Sequence, residues 1–137
     1  MASRDALAHG ARMRTVIGGA PRREPENELY DRACDLVEAA DAIRRLAREP
    51  GAAQAVPAVL GCVQDAIGHL NVACAGLEQT AADAARARGP EGDDRRRRRM
   101  HRGFENLSAA LDDTRQATGA CRALVARALE HRRRARG

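Results

Sequence analysis

Few side chains of this chain are spaced for covalent chemistry. The four cysteines, Cys34, Cys62, Cys74 and Cys121, form no Cys-x-x-Cys pair, and the histidines form neither a His-x-x-x-His nor a Glu-x-x-His pattern. Zinc and di-iron sites are therefore not predicted. His69 lies seven residues from Cys62 and five from Cys74, and neither spacing favours a hydrogen-bonded thiol–imidazole nucleophile. We predict no catalytic residue, no metal site and no cofactor.

Anion binding is the chemistry that the sequence does offer. All 24 basic residues are arginine, and the net charge is +5. Guanidinium groups suit carboxylates and phosphates, so an acidic protein and a nucleic acid are both candidate partners, while a solvated helix end is the third interpretation. The candidate contact residues form one run after Asp94 and one cluster near the C-terminus: Arg95, Arg96, Arg97, Arg98, Arg99, Arg102, Arg132, Arg133 and Arg134.

The composition limits the elements that can position these charges. Leu, Val, Ile and Phe account for 22 of 137 residues, and the chain has no Trp. A wide globular core is therefore excluded, and alanine must supply much of the buried surface, as it does in narrow helical bundles. No apolar run approaches the ~18 residues that a membrane span needs, and the N-terminal residues lack the apolar segment of a secretory signal. We expect a cytoplasmic protein that does not contact a membrane.

Three long stripes of apolar residues define the fold. Within Leu29–Ala47, Val56–Ala84 and Met100–Ala128, apolar or small residues recur at alternating steps of four and three. A sustained 3.5-residue repeat is typical of helices that pack lengthwise. Pro50-Gly51 and Gly89-Pro90 separate the stripes. The sequence predicts an all-α, elongated antiparallel three-helix bundle resembling a coiled coil, with helices at about 26–48, 54–87 and 94–133.

The domain organisation follows from these boundaries. Residues 1–25 form an N-terminal arm or a short fourth helix, and residues 26–137 form the bundle. A second edge of small residues accompanies the stripes, including Gly61 and Gly68 in the second helix and Gly103 in the third. These residues allow close approach of another helix, either within one chain or from a second copy.

A thin core and a basic helix end favour a protein that binds other macromolecules. The first hypothesis is a non-catalytic helical-bundle module for protein–protein interaction. It forms a homodimer anchored by Leu77, Phe104, Leu107 and Leu111, and its arginine-rich hairpin tip docks an acidic partner. The alternative is a nucleoid or packaging accessory protein that binds nucleic acid nonspecifically. A small-ligand carrier or helical-bundle enzyme is the second alternative, and it requires a polar pocket in the bundle.

Overall fold

The chain is all-α, as the sequence predicts. The computed structural model describes residues 24–89 and 94–137, which contain three α-helices and no strand. Helix α1 spans Pro25–Leu46, α2 spans Val56–Ala87 and α3 spans Asp94–Arg136, and a 3₁₀ turn, Ala52–Ala55, precedes α2. The predicted N-terminal arm falls outside the described residues, apart from its last two positions.

Helix boundaries follow local chemistry. Pro25 and Pro57 each lie in the first turn of a helix, where the missing backbone N–H leaves no hydrogen bond unmade. Helix α1 ends before Gly51, which adopts a left-handed conformation with φ of 86°. That conformation carries no steric penalty for glycine. The observed bounds agree with the predicted ones to within three residues.

Two compact units make up the described chain. The first ends at Arg48 and contains α1, and the second runs from Glu49 to Gly137 and contains α2 and α3. The apolar stripe of helix α1 is exposed at Leu29, Leu36 and Ile43. The placement of α1 against the other two helices, as in the predicted three-helix bundle, stays a prediction.

Helices α2 and α3 pack against each other as an antiparallel hairpin. Glu78 contacts His101 near one end of the pair, Asn71 contacts Ser108 further along, and Gln54 contacts Arg133 at the other end. From Glu78 to Asn71 to Gln54 the residue numbers fall, while those of their contacts on α3 rise. Only antiparallel helices produce this pattern. At ~1.5 Å per residue, the 43 residues of α3 extend for ~64 Å.

The hairpin has almost no core of its own. Among the described hydrophobic residues only Cys74 is buried, at 6% exposure, and Gly61 is the other buried residue. Two helices in contact can cover only one side of each other, so much of each apolar stripe stays in contact with water. This observation matches the thin core expected from the composition.

Candidate interaction surfaces

The predicted stripes of α2 and α3 lie only partly between the two helices. Leu60, Ile67 and Cys74 of α2, and Phe104 and Leu111 of α3, are half-buried or buried there. Several other stripe positions are exposed. These include Leu70, Leu77, Leu107 and Cys121.

Small and polar residues take their place in the interface. The side chain of Arg122 covers Gly61, Arg115 covers Gly68, and Gln64 reaches across to Gly119. A Cβ at any of these glycines would lie between 2.6 and 3.2 Å from the covering side chain. The glycines therefore leave room for these polar side chains between α2 and α3. The edge containing Gly61 and Gly68 serves packing within one chain.

The hairpin therefore has two different sides. When α2 and α3 are each viewed from the N-terminus, the exposed stripe positions lie in the same rotational direction from the contacting positions. Because the two helices are antiparallel, the exposed positions of both lie on one side of the pair. We call that side the uncharged face, because the stripe positions and their outer neighbours include no Asp, Glu or Arg. Its exposed members are Val59, Leu70, Ala73, Leu77, Thr80 and Ala84 of α2, and Gly103, Leu107, Ala110, Thr114, Ala117, Cys121, Leu124 and Ala128 of α3. The half-buried residues Val56, Val63, Ala66 and Ala81 of α2, and Met100, Thr118 and Val125 of α3, complete it.

The predicted self-association residues divide between two environments. Leu77 is 41% exposed and Leu107 is 47% exposed, so both offer apolar surface to a partner. Phe104 and Leu111 are half-buried against α2 and mainly stabilise the hairpin. Leu124, at 65% exposure, extends the uncharged face toward the C-terminus, and the sequence analysis did not include it among the anchors.

Threonines on the uncharged face satisfy their hydroxyl groups locally. The Thr114 hydroxyl donates to the carbonyl oxygen of Ala110 at 2.7 Å, and that of Thr118 donates to the carbonyl oxygen of Thr114 at 2.7 Å. Each hydroxyl bonds to the preceding turn of its own helix, as side chains of this type can do. Covering these threonines with another apolar helix would therefore leave no hydroxyl hydrogen unpaired.

The opposite side, which we call the polar face, carries a ladder of side-chain contacts. The Ser108 hydroxyl donates to Asn71 at 2.5 Å, and Arg133 donates to Gln54 at 3.1 Å. His101 contacts Glu78 through Nδ1 and lies 3.2 Å from Glu105 through Nε2. The hydrogen bond with Glu78, together with the charges of Glu105 and Glu78, raises the pKa of His101 above its usual 6.5.

An open groove of about 480 Å³ lies on the polar face near this histidine. Its carboxylates are Glu78, Glu105 and Asp112, and its wall includes Ser108. Ser108 donates to Asn71 and not to His101, so the groove contains no hydroxyl activated by an imidazole. Among the described residues, no group of three or more His, Cys, Asp or Glu side chains is arranged to hold a metal ion.

The arginines of the predicted tip surround the first turns of α3. Arg95 through Arg99 and Arg102 are all exposed, and Arg97 forms an ion pair with Asp94. Five like charges at a helix N-terminus repel one another and oppose the helix dipole. An anion bound at this tip would relieve that repulsion.

The C-terminal cluster lies at the other end of the hairpin. Arg132, Arg133 and Arg134 are exposed, and Arg134 pairs with Glu130 at 2.6 Å. Because α3 is continuous, the two arginine clusters of one chain are ~50 Å apart. They do not form one continuous patch.

All four cysteines are free thiols. Cys62 and Cys121 are exposed, Cys34 is half-buried and Cys74 is buried. Cys121 lies on the uncharged face, whereas Cys62 lies on the outer side of α2, in line with His69. His69 is exposed as well.

One described segment is long and apolar enough to cross a membrane when judged by length and composition alone. It is Ala52–Ala87, with a mean hydropathy of 1.2 over its best 18-residue window, of which 11% is buried. No such segment was expected from the sequence, because the stretch contains no long uninterrupted run of large apolar residues. Its many alanines raise the mean hydropathy. Helices that pack in bundles pass the same test, so this finding is weak evidence for a membrane span.

No protein-family model, curated protein or solved structure matches this chain. The case for a function therefore rests on the two faces of the hairpin and its charged ends.

Proposed function

We propose that this chain is a non-catalytic helical interaction module that associates with a second copy of itself through the uncharged face. The observation that carries the proposal is the extent of that face. It runs for ~42 Å along α3, from Met100 to Ala128, and α2 contributes a matching strip. Exposed leucines occur on both helices.

A second copy suits this face for two reasons. First, the outer positions Gly103, Ala110 and Ala117 of α3 are small, so the backbone of another helix can come close. Second, the face includes no charge that burial would strand, which removes the main cost of covering it. Stacking two hairpins on these faces would produce a four-helix arrangement, a common way for helix pairs to bury their apolar sides.

Molar mass in solution tests this proposal. Sedimentation equilibrium over a range of concentrations is expected to show a dimer in exchange with the monomer. A mass that stays at the 14.8 kDa of one chain at high concentration would contradict self-association.

The arginine-rich tip is the proposed docking point for an acidic protein partner. Arg95 to Arg99 and Arg102 lie at the end of the hairpin and leave the uncharged face accessible. Binding of a poly-glutamate peptide, compared between the wild-type chain and a variant in which Arg95–Arg99 are glutamine, measures this contact. Equal binding by both proteins would contradict a role for the tip.

Nucleic acid is the second candidate partner. The use of arginine at both ends of the hairpin favours it, because guanidinium groups bind phosphate in a bidentate manner. Such binding would be independent of sequence and would weaken with salt. Failure to bind duplex DNA at low salt would exclude this candidate. In either case we expect a cytoplasmic protein that needs no cofactor.

A further inference from the structure

Two arginines in the middle of the hairpin are held differently from those at its ends. Arg115 and Arg122 extend from α3 across the polar face and lie on the backbone of α2 at Gly68 and Gly61. The guanidinium carbon of Arg122 is 3.1 Å from the place where a Cβ of Gly61 would be, and Nε of Arg115 is 3.2 Å from the equivalent place at Gly68. Both arginines remain exposed to solvent.

We propose that Arg115 and Arg122 form a binding site for the phosphate backbone of duplex nucleic acid. Packing on glycine restricts each guanidinium, which lowers the side-chain entropy that binding would otherwise cost. The two arginines are seven residues apart, or ~10.5 Å along α3. Three nucleotide steps of one DNA strand rise by ~10.2 Å, at about 3.4 Å each.

The surroundings favour a long anionic chain over a single small anion. Arg133 continues the row toward the C-terminus, where it donates to Gln54. Between the arginines, the side chain of Gln64 lies against Gly119, so the two residues in contact there carry no charge. No aromatic residue lies along it, which favours a duplex over a single strand held by base stacking.

Neither Asp65 nor Asp112 neutralises the two arginines. Asp65 lies on α2 between Gly61 and Gly68, and Asp112 lies one turn before Arg115 and accepts a hydrogen bond from Gln116. Within the described part of the chain, neither carboxylate forms an ion pair within 4 Å with Arg115 or Arg122. Both guanidinium groups are therefore available to phosphate oxygens.

This inference is related to the nucleic-acid candidate above, but it assigns the contact to a different surface. The test is the salt dependence of binding to a fluorescent duplex of random sequence, measured by anisotropy for the full chain. Four proteins are compared: wild type, Arg115→Ala/Arg122→Ala, Arg115→Lys/Arg122→Lys, and the chain with Arg95–Arg99 replaced by glutamine. Far-ultraviolet circular dichroism checks that each is folded.

Each phosphate contact contributes ~0.9 to the slope of log affinity against log salt concentration. Removing two contacts with the alanine pair is expected to reduce the slope by ~1.8 and to weaken binding at 0.1 M salt by roughly 60-fold. The Arg115→Lys/Arg122→Lys variant keeps both positive charges but loses the planar guanidinium groups that bind phosphate in a bidentate manner. It should therefore keep the wild-type slope and bind more weakly.

Three outcomes would overturn the inference. If the alanine pair binds like wild type and only the tip variant is weakened, the nucleic-acid candidate survives at the tip and this site does not exist. Failure of the wild-type chain to bind the duplex at 20 mM salt would remove both. Tighter binding to poly-glutamate than to the duplex, lost in the alanine pair, would identify the row as an acidic-protein site.

Discussion

Replacing Leu77 and Leu107 with alanine is expected to weaken self-association without unfolding the hairpin. These leucines lie on different helices, and both belong to the uncharged face. Each side chain keeps a large exposed fraction, so a partner could bury apolar surface that its own chain leaves in contact with water. Alanine favours helix, and most contacts within the hairpin are made by other residues, so the hairpin itself should persist.

The magnitude follows from the exposed fractions. Burying a whole leucine side chain contributes about 1.5–3 kcal/mol. At 41% and 47% exposure, covering what remains of Leu77 and Leu107 would contribute about 0.6–1.2 and 0.7–1.4 kcal/mol. A symmetric dimer counts each residue twice, which gives about 2.6–5 kcal/mol in total. Alanine keeps its β-carbon, so we expect about 3 kcal/mol, or about a hundredfold weaker dimer.

Sedimentation equilibrium would measure the dimer dissociation constant of the wild type and of Leu77→Ala/Leu107→Ala. Val72→Ala is the matched control. Val72 is 76% exposed, but it lies seven residues from Asp65 and from Gln79, on the side of α2 away from the uncharged face. Val72→Ala therefore removes exposed apolar surface from α2 without affecting the proposed interface.

The reasoning would be refuted by a wild-type dimer that both variants weaken equally or that neither variant weakens. Equal weakening would mean that general apolar exposure, and not this face, drives association. No weakening would place the interface elsewhere. Circular dichroism and urea unfolding of each variant show whether the hairpin itself has been lost.

Three further predictions concern single positions. A Cβ at Gly76 would meet nothing within 4 Å, whereas one at Gly61 would meet a guanidinium at 3.1 Å. In urea unfolding, Gly76→Ala should therefore stabilise the chain by about 0.8–1 kcal/mol, and Gly61→Ala by less; equal gains would contradict the close packing at Gly61. The contribution of His101 to stability should be fully present below its unfolded pKa of 6.5 and be lost as pH rises through its raised folded pKa. The difference in free energy of unfolding between wild type and His101→Gln, measured from pH 5 to 9, checks this, and a difference that grows with pH would contradict it. In single-cysteine variants, reaction of Cys121 with a thiol reagent should slow as protein concentration rises, while that of Cys62 should not; parallel slowing at both would argue against coverage of the uncharged face alone.

Periodicity and turn chemistry allowed the helices to be predicted from the sequence. The repeats after Leu29, Val56 and Met100, divided by proline and glycine, gave three helices with nearly correct ends. These signals are local, since each depends on residues within a few turns of one another. The antiparallel pairing of α2 and α3 followed because a short connection leaves consecutive helices little choice.

The candidate surfaces were only partly predictable. The sequence shows the consecutive arginines after Asp94 directly, and the apolar repeat identifies Leu77 and Leu107 as stripe positions. The roles of Arg115 and Arg122 were not, because nothing in their own neighbourhood shows that glycines of another helix lie beneath them. One sequence signal could have identified these two arginines. They are seven residues apart, and two glycines on the preceding helix have the same spacing.

The sequence by itself determined that this chain forms long helices with a scarce apolar content and charged ends, because those properties depend on residue type and spacing. Only the tertiary structure decided which side of each stripe faces the neighbouring helix. The rotation of each helix about its own axis depends on which contacts between the two helices fit best. Here polar side chains of the neighbouring helix cover Gly61, Gly68 and Gly119. The same rotation turned Leu70, Leu77 and Leu107 outward and made one side of the hairpin an uncharged face.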